Sequence, residues 1–127
     1  MKQCGGGECQ GTSEPELLYG TGVEDTVYGR GGGDRIYGYG DDDRLKGGPG
    51  ADVIYGGSGD NRMKAGSGAD KVYGGVGDEI LRGSTIEQTD DGVRDILDCG
   101  GGMDTVYFVP GQDQVAENCE IKNPSTF

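Results

Sequence analysis

Single apolar residues recur every nine positions through most of the chain. Counted from Gly11, the eighth position of eight successive units is apolar. These positions hold Leu18, Val27, Ile36, Leu45, Ile54, Met63, Val72 and Leu81. Because 31% of all residues are apolar, chance gives such a run with a probability on the order of one in ten thousand. The pattern therefore predicts a repeating structural unit of nine residues.

The polar positions of the unit are equally regular. From Gly47 to Tyr73 the chain reads GGPGADVIY, GGSGDNRMK, AGSGADKVY, with small residues at positions one, two and four. Position six offers a side-chain oxygen in every unit, from Glu16, Asp25, Asp34, Asp43, Asp52, Asn61, Asp70 and Glu79. The unit therefore combines a glycine-rich turn with an oxygen donor and one core residue.

The repeat divides one domain into five segments. Eight regular units span 11–82, and the period breaks over 83–89, where we expect a short loop. Three irregular units follow over 90–116, with Asp95, Asp104 and Asp113 at position six and Leu97, Val106 and Val115 at position eight. Residues 1–10 and 117–127 lack the repeat, and we expect them to cap the open ends of a stack.

A nine-residue unit is too short to bury its apolar side chain alone, so the units must stack. Two units make one coil with two short strands, and successive coils stack about 4.8 Å apart as parallel sheets. Position eight then points inward, whereas positions seven and nine point outward. Small residues suit turns whose backbones approach closely. The sequence therefore predicts an all-β fold.

The composition argues against several classes of function. The net charge of −12 in 127 residues argues against nucleic acid as a partner and favours cation binding. No stretch resembles a transmembrane span or a signal segment, so we expect no membrane insertion, and a signal either removed or carried elsewhere in a longer precursor. Without histidine there is no imidazole base, and we expect no enzymatic activity.

Taken together, the glycine, acid and aliphatic positions resemble the RTX, or haemolysin-type, calcium-binding nonapeptide repeats of secreted bacterial proteins. The resemblance implies a right-handed parallel β-roll in which each ion lies between turn n and turn n+2. Its ligands are carbonyls of positions one to four and the position-six carboxylates. The implied ligand residues are Asp25, Gly29, Arg30, Gly31, Gly32, Asp34, Gly38, Gly40, Asp43, Gly47, Gly48, Pro49, Gly50, Asp52, Gly56, Gly57, Ser58, Gly59, Asn61, Ala65, Gly66, Ser67, Gly68, Asp70, Glu79, Asp95, Asp104 and Asp113.

The same resemblance implies that the ions lie along two edges of the roll. A first edge stacks Glu16, Asp34, Asp52 and Asp70, and a second edge stacks Asp25, Asp43, Asn61 and Glu79. Three sites per edge give about six calcium ions in the regular block. We expect the second edge to bind more weakly, because Asn61 removes a charge and Glu79 is one methylene longer than aspartate.

The outward positions form two contrasting faces. One sheet carries a tyrosine column of Tyr19, Tyr37, Tyr55 and Tyr73, and the other carries a basic face of Arg44, Lys46, Arg62, Lys64 and Arg82. Both suit an exposed sheet surface that stays soluble. Alternatively, one is a contact surface for an anionic polysaccharide or for self-association.

Four cysteines in an acidic chain without histidine favour disulfides over zinc. Of three possible connectivities, the local pairs Cys4–Cys9 and Cys99–Cys119 place one link at each end of the stack. Disulfides and calcium together indicate an extracellular protein. We expect a secreted domain that folds on binding calcium, as a structural or interaction module; the alternatives are a carbohydrate-binding module and a filament or surface-layer subunit.

Overall fold

The computed structural model describes residues 2–3, 7–83, 95–108, 114–116, 119 and 121–124. None of them forms a helix long and apolar enough to cross a membrane. The strands are β1 (Lys2–Gln3), β2 (Gly7–Gln10), β3 (Leu17–Tyr19), β4 (Asp25–Tyr28), β5 (Arg35–Tyr37), β6 (Arg44–Lys46), β7 (Val53–Tyr55), β8 (Arg62–Lys64), β9 (Lys71–Tyr73), β10 (Ile80–Arg82), β11 (Ile96–Asp98), β12 (Thr105–Phe108), β13 (Gln114–Val115) and β14 (Ile121–Pro124).

The strands alternate between two parallel sheets. Odd-numbered strands form one sheet in sequence order from β1 to β13, and even-numbered strands form the other from β2 to β14. Each strand therefore pairs with the strand one coil later, as Ile36 pairs with Ile54 and Leu45 with Met63. The predicted all-β parallel roll is confirmed.

The core lies between the sheets and consists of the position-eight side chains. The residues of this ladder that are at most 1% exposed are Leu18, Val27, Ile36, Leu45, Ile54, Met63, Val72, Leu81, Leu97 and Val106. Val115 packs against them and is partly buried. Each fully buried aliphatic side chain stabilises the stack by about 1.5–3 kcal/mol, which a single unit in isolation does not gain.

Small residues in the turns have two separate physical causes. Positions two and four take positive φ in most described turns, as at Gly57 (φ 88°) and Gly59 (φ 96°). A Cβ on Gly57 would also collide with the carbonyl oxygen of Tyr39, one coil earlier. The sequence led us to expect only one of these causes, the close approach of turn backbones. The positive φ angles are the other.

The ends of the chain extend the two sheets. Strands β1 and β2 pair in parallel with β3 and β4, and β14 pairs with β12. After β9 the register changes, because Lys71 pairs with Ile96, 25 residues later, instead of 18 as in the regular block. Residues 84–94, which include most of the expected phase-breaking loop, lie outside the described residues.

One of the two expected disulfides is described. Cys99 and Cys119 are bonded, with their Cα atoms 5.2 Å apart, and both are buried in the core. The predicted Cys99–Cys119 link is therefore confirmed, and it ties the segment before β14 to the end of β11. Cys4 lies outside the described residues, so the Cys4–Cys9 pair stays a prediction.

The turn geometry generates a first prediction. Gly57→Ala places a Cβ at φ 88° against the Tyr39 carbonyl and should destabilise the folded protein by at least about 1–2 kcal/mol. Gly22→Ala is the matched control, because a Cβ there has no atom within 4 Å. Urea unfolding of the folded protein measures both. Equal midpoints for the two variants would contradict this account of the turns.

Candidate metal centre

The position-six side chains form a ladder along each edge of the roll. On the first edge, the backbone N–H groups of Glu16, Asp34 and Asp52 each donate to Oδ1 of the acid one coil later, at 2.8 Å. The ladder continues from Asp70 N–H to Asp95 Oδ1 at 2.9 Å. The structure therefore brings these five residues together as one column.

The second edge follows the same rule with one amide in the column. Asp25 N–H donates to Asp43 Oδ1, and Asp43 N–H donates to Asn61 Oδ1, both at 2.8 Å. Glu79 N–H donates to Asp104 Oδ1 at 2.7 Å. Asp113, the remaining expected acid, lies outside the described residues.

Several buried aspartates keep one carboxylate oxygen without a donor. Asp34, Asp43 and Asp52 are each 1% exposed, and their Oδ2 atoms are buried without a hydrogen-bond partner. Burial is the main cause that raises the pKa of Asp34 to about 6 and the pKa values of Asp43 and Asp52 to about 7. Each site therefore favours a positive charge, whether proton or cation.

Each free carboxylate oxygen lies beside a backbone carbonyl of the next coil. The point that a Cβ on Gly29 would take is 2.7 Å from both Asp34 Oδ2 and the Gly47 carbonyl oxygen. At Gly38 the equivalent point is 2.6 Å from both Asp43 Oδ2 and the Gly56 oxygen. The glycine at position one therefore leaves a space lined by acceptors.

This donor set fits a hard cation. Calcium takes six to eight oxygens from carboxylates and carbonyls, and it tolerates irregular geometry. Among the described residues, no three acidic or thiol side chains converge on one point. An ion between two coils would therefore draw most of its ligands from turn carbonyls, with one carboxylate from each coil.

In two turns of the first regular coil, a threonine donates to the position-six acid, although Asp25 keeps a buried Oδ1 atom without a partner. Thr21 donates to Asp25 Oδ2 from its backbone N–H at 2.6 Å and from its hydroxyl at 3.1 Å. Thr12 makes the equivalent pair of bonds to Glu16 Oε1. Sequence reasoning missed this feature, although threonine at position two, which the last four regular units replace with glycine, was its signal.

Asn61 and Glu79 also depart from the aspartate pattern. The Asn61 Nδ2 group lies 3.5 Å from the Ser58 carbonyl oxygen and 3.4 Å from that of Gly59, as a donor to both. The pKa of Glu79 is raised to about 9, first by burial and then by the neighbouring Asp104. The second edge is thus the chemically irregular edge.

A further acidic column was missed at the sequence level. Position five of the second edge holds Glu24, Asp42, Asp60 and Asp78. Asp60 N–H donates to Asp42 Oδ1, and Asp78 N–H donates to Asp60 Oδ1, both at 2.8 Å. These side chains line an exposed groove of about 350 Å³. Along the first edge, position five is never acidic. A count over all nine-residue units therefore does not reveal the acidic column, which appears only in every second unit.

The two outer faces lie where the sequence indicated. Tyr37 stacks on Tyr55 with ring centroids 4.8 Å apart, and Tyr55 stacks on Tyr73 at 5.0 Å. Tyr39, a turn residue that the sequence did not flag, joins the stack 6.0 Å from Tyr37. Tyr19 completes the column, 6.1 Å from Tyr37.

The basic face forms a groove on the opposite sheet. Arg44 pairs with Arg62 in register, and Lys46 pairs with Lys64. All five cations, including Arg82, line a groove of about 490 Å³. Tyrosines bound it at both ends, because Lys46 lies 5.2 Å from the Tyr28 ring centroid and Arg82 lies 5.0 Å from that of Tyr107.

The raised pKa values generate a second prediction. Asp34, Asp43 and Asp52 titrate near 3.8 when unfolded and near 6–7 in the stack, so the folded stack binds more protons between these values. The metal-free fold should therefore be most stable below about pH 4 and lose stability as the pH rises through 6–7. Glu79, with a folded pKa of about 9, extends the loss to higher pH.

Far-UV circular dichroism of metal-free protein between pH 4 and pH 8 measures this effect, because the β-rich fraction should fall as the pH rises. Asp52→Asn is the matched control, because it removes one titrating carboxylate and should reduce that fall. A β-rich fraction that is equal at both ends of the range, or higher at pH 8, would contradict the prediction.

Comparison with protein families agrees with this geometry. Residues 19–54 and 55–85, together more than half of the chain, match the RTX calcium-binding nonapeptide repeat, a profile of four copies. The match is to a calcium-binding repeat and not to a catalytic domain. Comparisons with curated proteins and with solved structures gave no significant match. The chain therefore belongs to the RTX calcium-binding nonapeptide repeat family.

Proposed function

We propose that this chain is a secreted calcium-binding module that folds when calcium binds and then acts as a structural or interaction element. The observation that carries the proposal is the buried Oδ2 atom without a donor in Asp34, Asp43 and Asp52. A cation supplies the positive charge that each of these oxygens lacks. We propose no catalytic role, because the chain has no histidine and its family match is a binding repeat.

The proposed ligands come from consecutive turns on one edge. Between the turns at Gly47–Asp52 and Ala65–Asp70, the ion takes backbone carbonyls of positions one to four together with the two carboxylates. The regular block offers three such intervals per edge, and hence about six positions for calcium. Positions on the first edge should bind more tightly, because Asp34, Asp52 and Asp70 are uninterrupted aspartates in that column.

Calcium couples to folding through charge and linkage. The chain carries a net charge of −12, and stacking brings like charges into columns, which destabilises the metal-free coil. An ion that binds only the folded state adds RT ln(1 + [Ca]/Kd) to the stability for each site. The Cys99–Cys119 disulfide is consistent with an oxidising, extracellular compartment.

Calcium-dependent folding is the third prediction. In chelator at neutral pH, the chain should be largely disordered by far-UV circular dichroism, and millimolar calcium should convert it to a β-rich state. Magnesium at the same concentration should fail, because it demands a tight octahedron and releases its water reluctantly. Identical spectra in chelator and in calcium would refute the coupling, and equal folding in magnesium would refute the ion specificity.

The basic face supports a second candidate function, the binding of an anionic polysaccharide. Five cations line one groove of about 490 Å³, on a protein whose other charges are mostly negative. In-register like charges such as Arg44 and Arg62 are mildly unfavourable side by side. An extended polyanion lying along the groove would relieve this repulsion.

This candidate gives a fourth prediction. Calcium-loaded protein should bind short uronate oligomers, which do not form calcium gels, and binding should weaken as salt shortens the Debye length from about 10 Å at 0.1 M. A variant with all five cations replaced by glutamine should lose binding in calorimetry. If the wild type does not bind, or the variant binds equally, the face is not a polysaccharide site. Light scattering that rises with protein concentration in the wild type but not in the variant would indicate self-association through the face instead.

A further inference from the structure

Asn61 is the one amide among the described position-six residues, and its buried environment differs from that of the aspartates. It is fully buried, with an exposure of 0%. Its Oδ1 atom accepts the Asp43 N–H at 2.8 Å, as Oδ1 of an aspartate does elsewhere in the ladders. This bond fixes the orientation of the amide, because only an oxygen can accept there. The Nδ2 group must then take the second position.

The second position is where the aspartates carry their unsatisfied oxygen. Asn61 Nδ2 lies 2.9 Å from the point that a Cβ on Gly56 would take, and Asp52 Oδ2 lies 2.5 Å from the equivalent point at Gly47. At this place Asn61 offers a donor to the carbonyls of Ser58 and Gly59. The aspartates offer an acceptor to a space that carbonyls already line.

An amide in place of a carboxylate changes whether the turn needs a positive charge in order to fold. Asp52 is a buried carboxylate whose second oxygen has no donor. A neighbouring backbone carbonyl oxygen lines the same space, so a cation there would contact both oxygens. Asn61 is neutral, and the partial positive charge of its amide group faces the carbonyls directly. An incoming cation would find fewer negative ligands at this turn and would have to displace two hydrogen bonds.

We propose that Asn61 is a built-in substitute for a bound ion. Its turn, in the middle of the second edge, closes without calcium, and the two calcium positions that would use it remain empty when the others fill. This inference rests on the proposed calcium function and refines it. The second edge then combines one permanent, ion-independent turn with neighbours that close only when a cation arrives.

A reciprocal pair of substitutions tests this role. Asn61→Asp should create the missing acceptor, so that the folded protein binds at least one more calcium ion per chain and its calcium titration becomes steeper. Asp52→Asn is the matched reverse change, with an amide positioned to donate to the Pro49 and Gly50 carbonyls. It should remove at least one ion and make the titration shallower. Native mass spectrometry counts the ions, and circular dichroism follows folding against free calcium.

The outcomes separate a substitute from a weak ligand. If Asn61 binds calcium through its carbonyl oxygen, Asn61→Asp will leave the number of ions unchanged and lower the calcium midpoint, which would overturn the proposal. Should Asn61→Asp fail to fold, Asp52→Asn decides alone, because an unchanged ion count there shows that an amide does not displace an ion. A wild-type protein that binds no calcium would overturn the proposed function and this inference together.

Discussion

The burial of one carboxylate in nearly every turn is the constraint on which the rest of the structure depends. Asp34, Asp43 and Asp52 lie inside the stack because the position-six backbone N–H needs an acceptor from the next coil. That bond uses one oxygen and leaves the other beside backbone carbonyls. A buried charge of this kind is costly unless a proton or cation neutralises it. The fold therefore contains its own requirement for positive charge.

The hydrophobic core is too dilute to remove that requirement. Each nine-residue unit contributes a single aliphatic side chain, such as Ile54 or Val72, to the space between the sheets. Ordering the remaining residues of the unit costs conformational entropy that one side chain does not offset. Parallel pairing and the carboxylate ladders supply further interactions, but the ladders carry the electrostatic penalty with them. This balance is the physical basis of the proposed coupling between calcium binding and folding.

The same periodicity that builds the core also organises the surfaces. In-register parallel strands place equivalent positions of every second unit on one face, so a preference at one position becomes a column. Tyrosine at position nine becomes a stack with centroid distances down to 4.8 Å, and arginine and lysine become the basic face. Tyr28 and Tyr107 contact the two ends of that face through cation–π interactions, which partly offset the repulsion between its charges.

The sequence by itself determined the stacked parallel sheets and the identity of the core, because both depend only on the spacing of residue types along the chain. Its resemblance to the RTX repeats added the roll and the sorting of acids onto two edges. The sequence also indicated the Cys99–Cys119 link, which the structure shows. Only the tertiary structure decided how each acid is satisfied. The Thr21 hydroxyl donates to the Asp25 carboxylate. The Asn61 amide donates to a turn carbonyl at the place where Asp52 has an oxygen without a donor. The Tyr39 ring joins the tyrosine stack. These outcomes depend on the direction of a hydroxyl, an amide or a ring relative to groups within the turn and one coil away. Spacing along the chain fixes which residues become neighbours, whereas hydrogen-bond geometry in three dimensions fixes what those neighbours do.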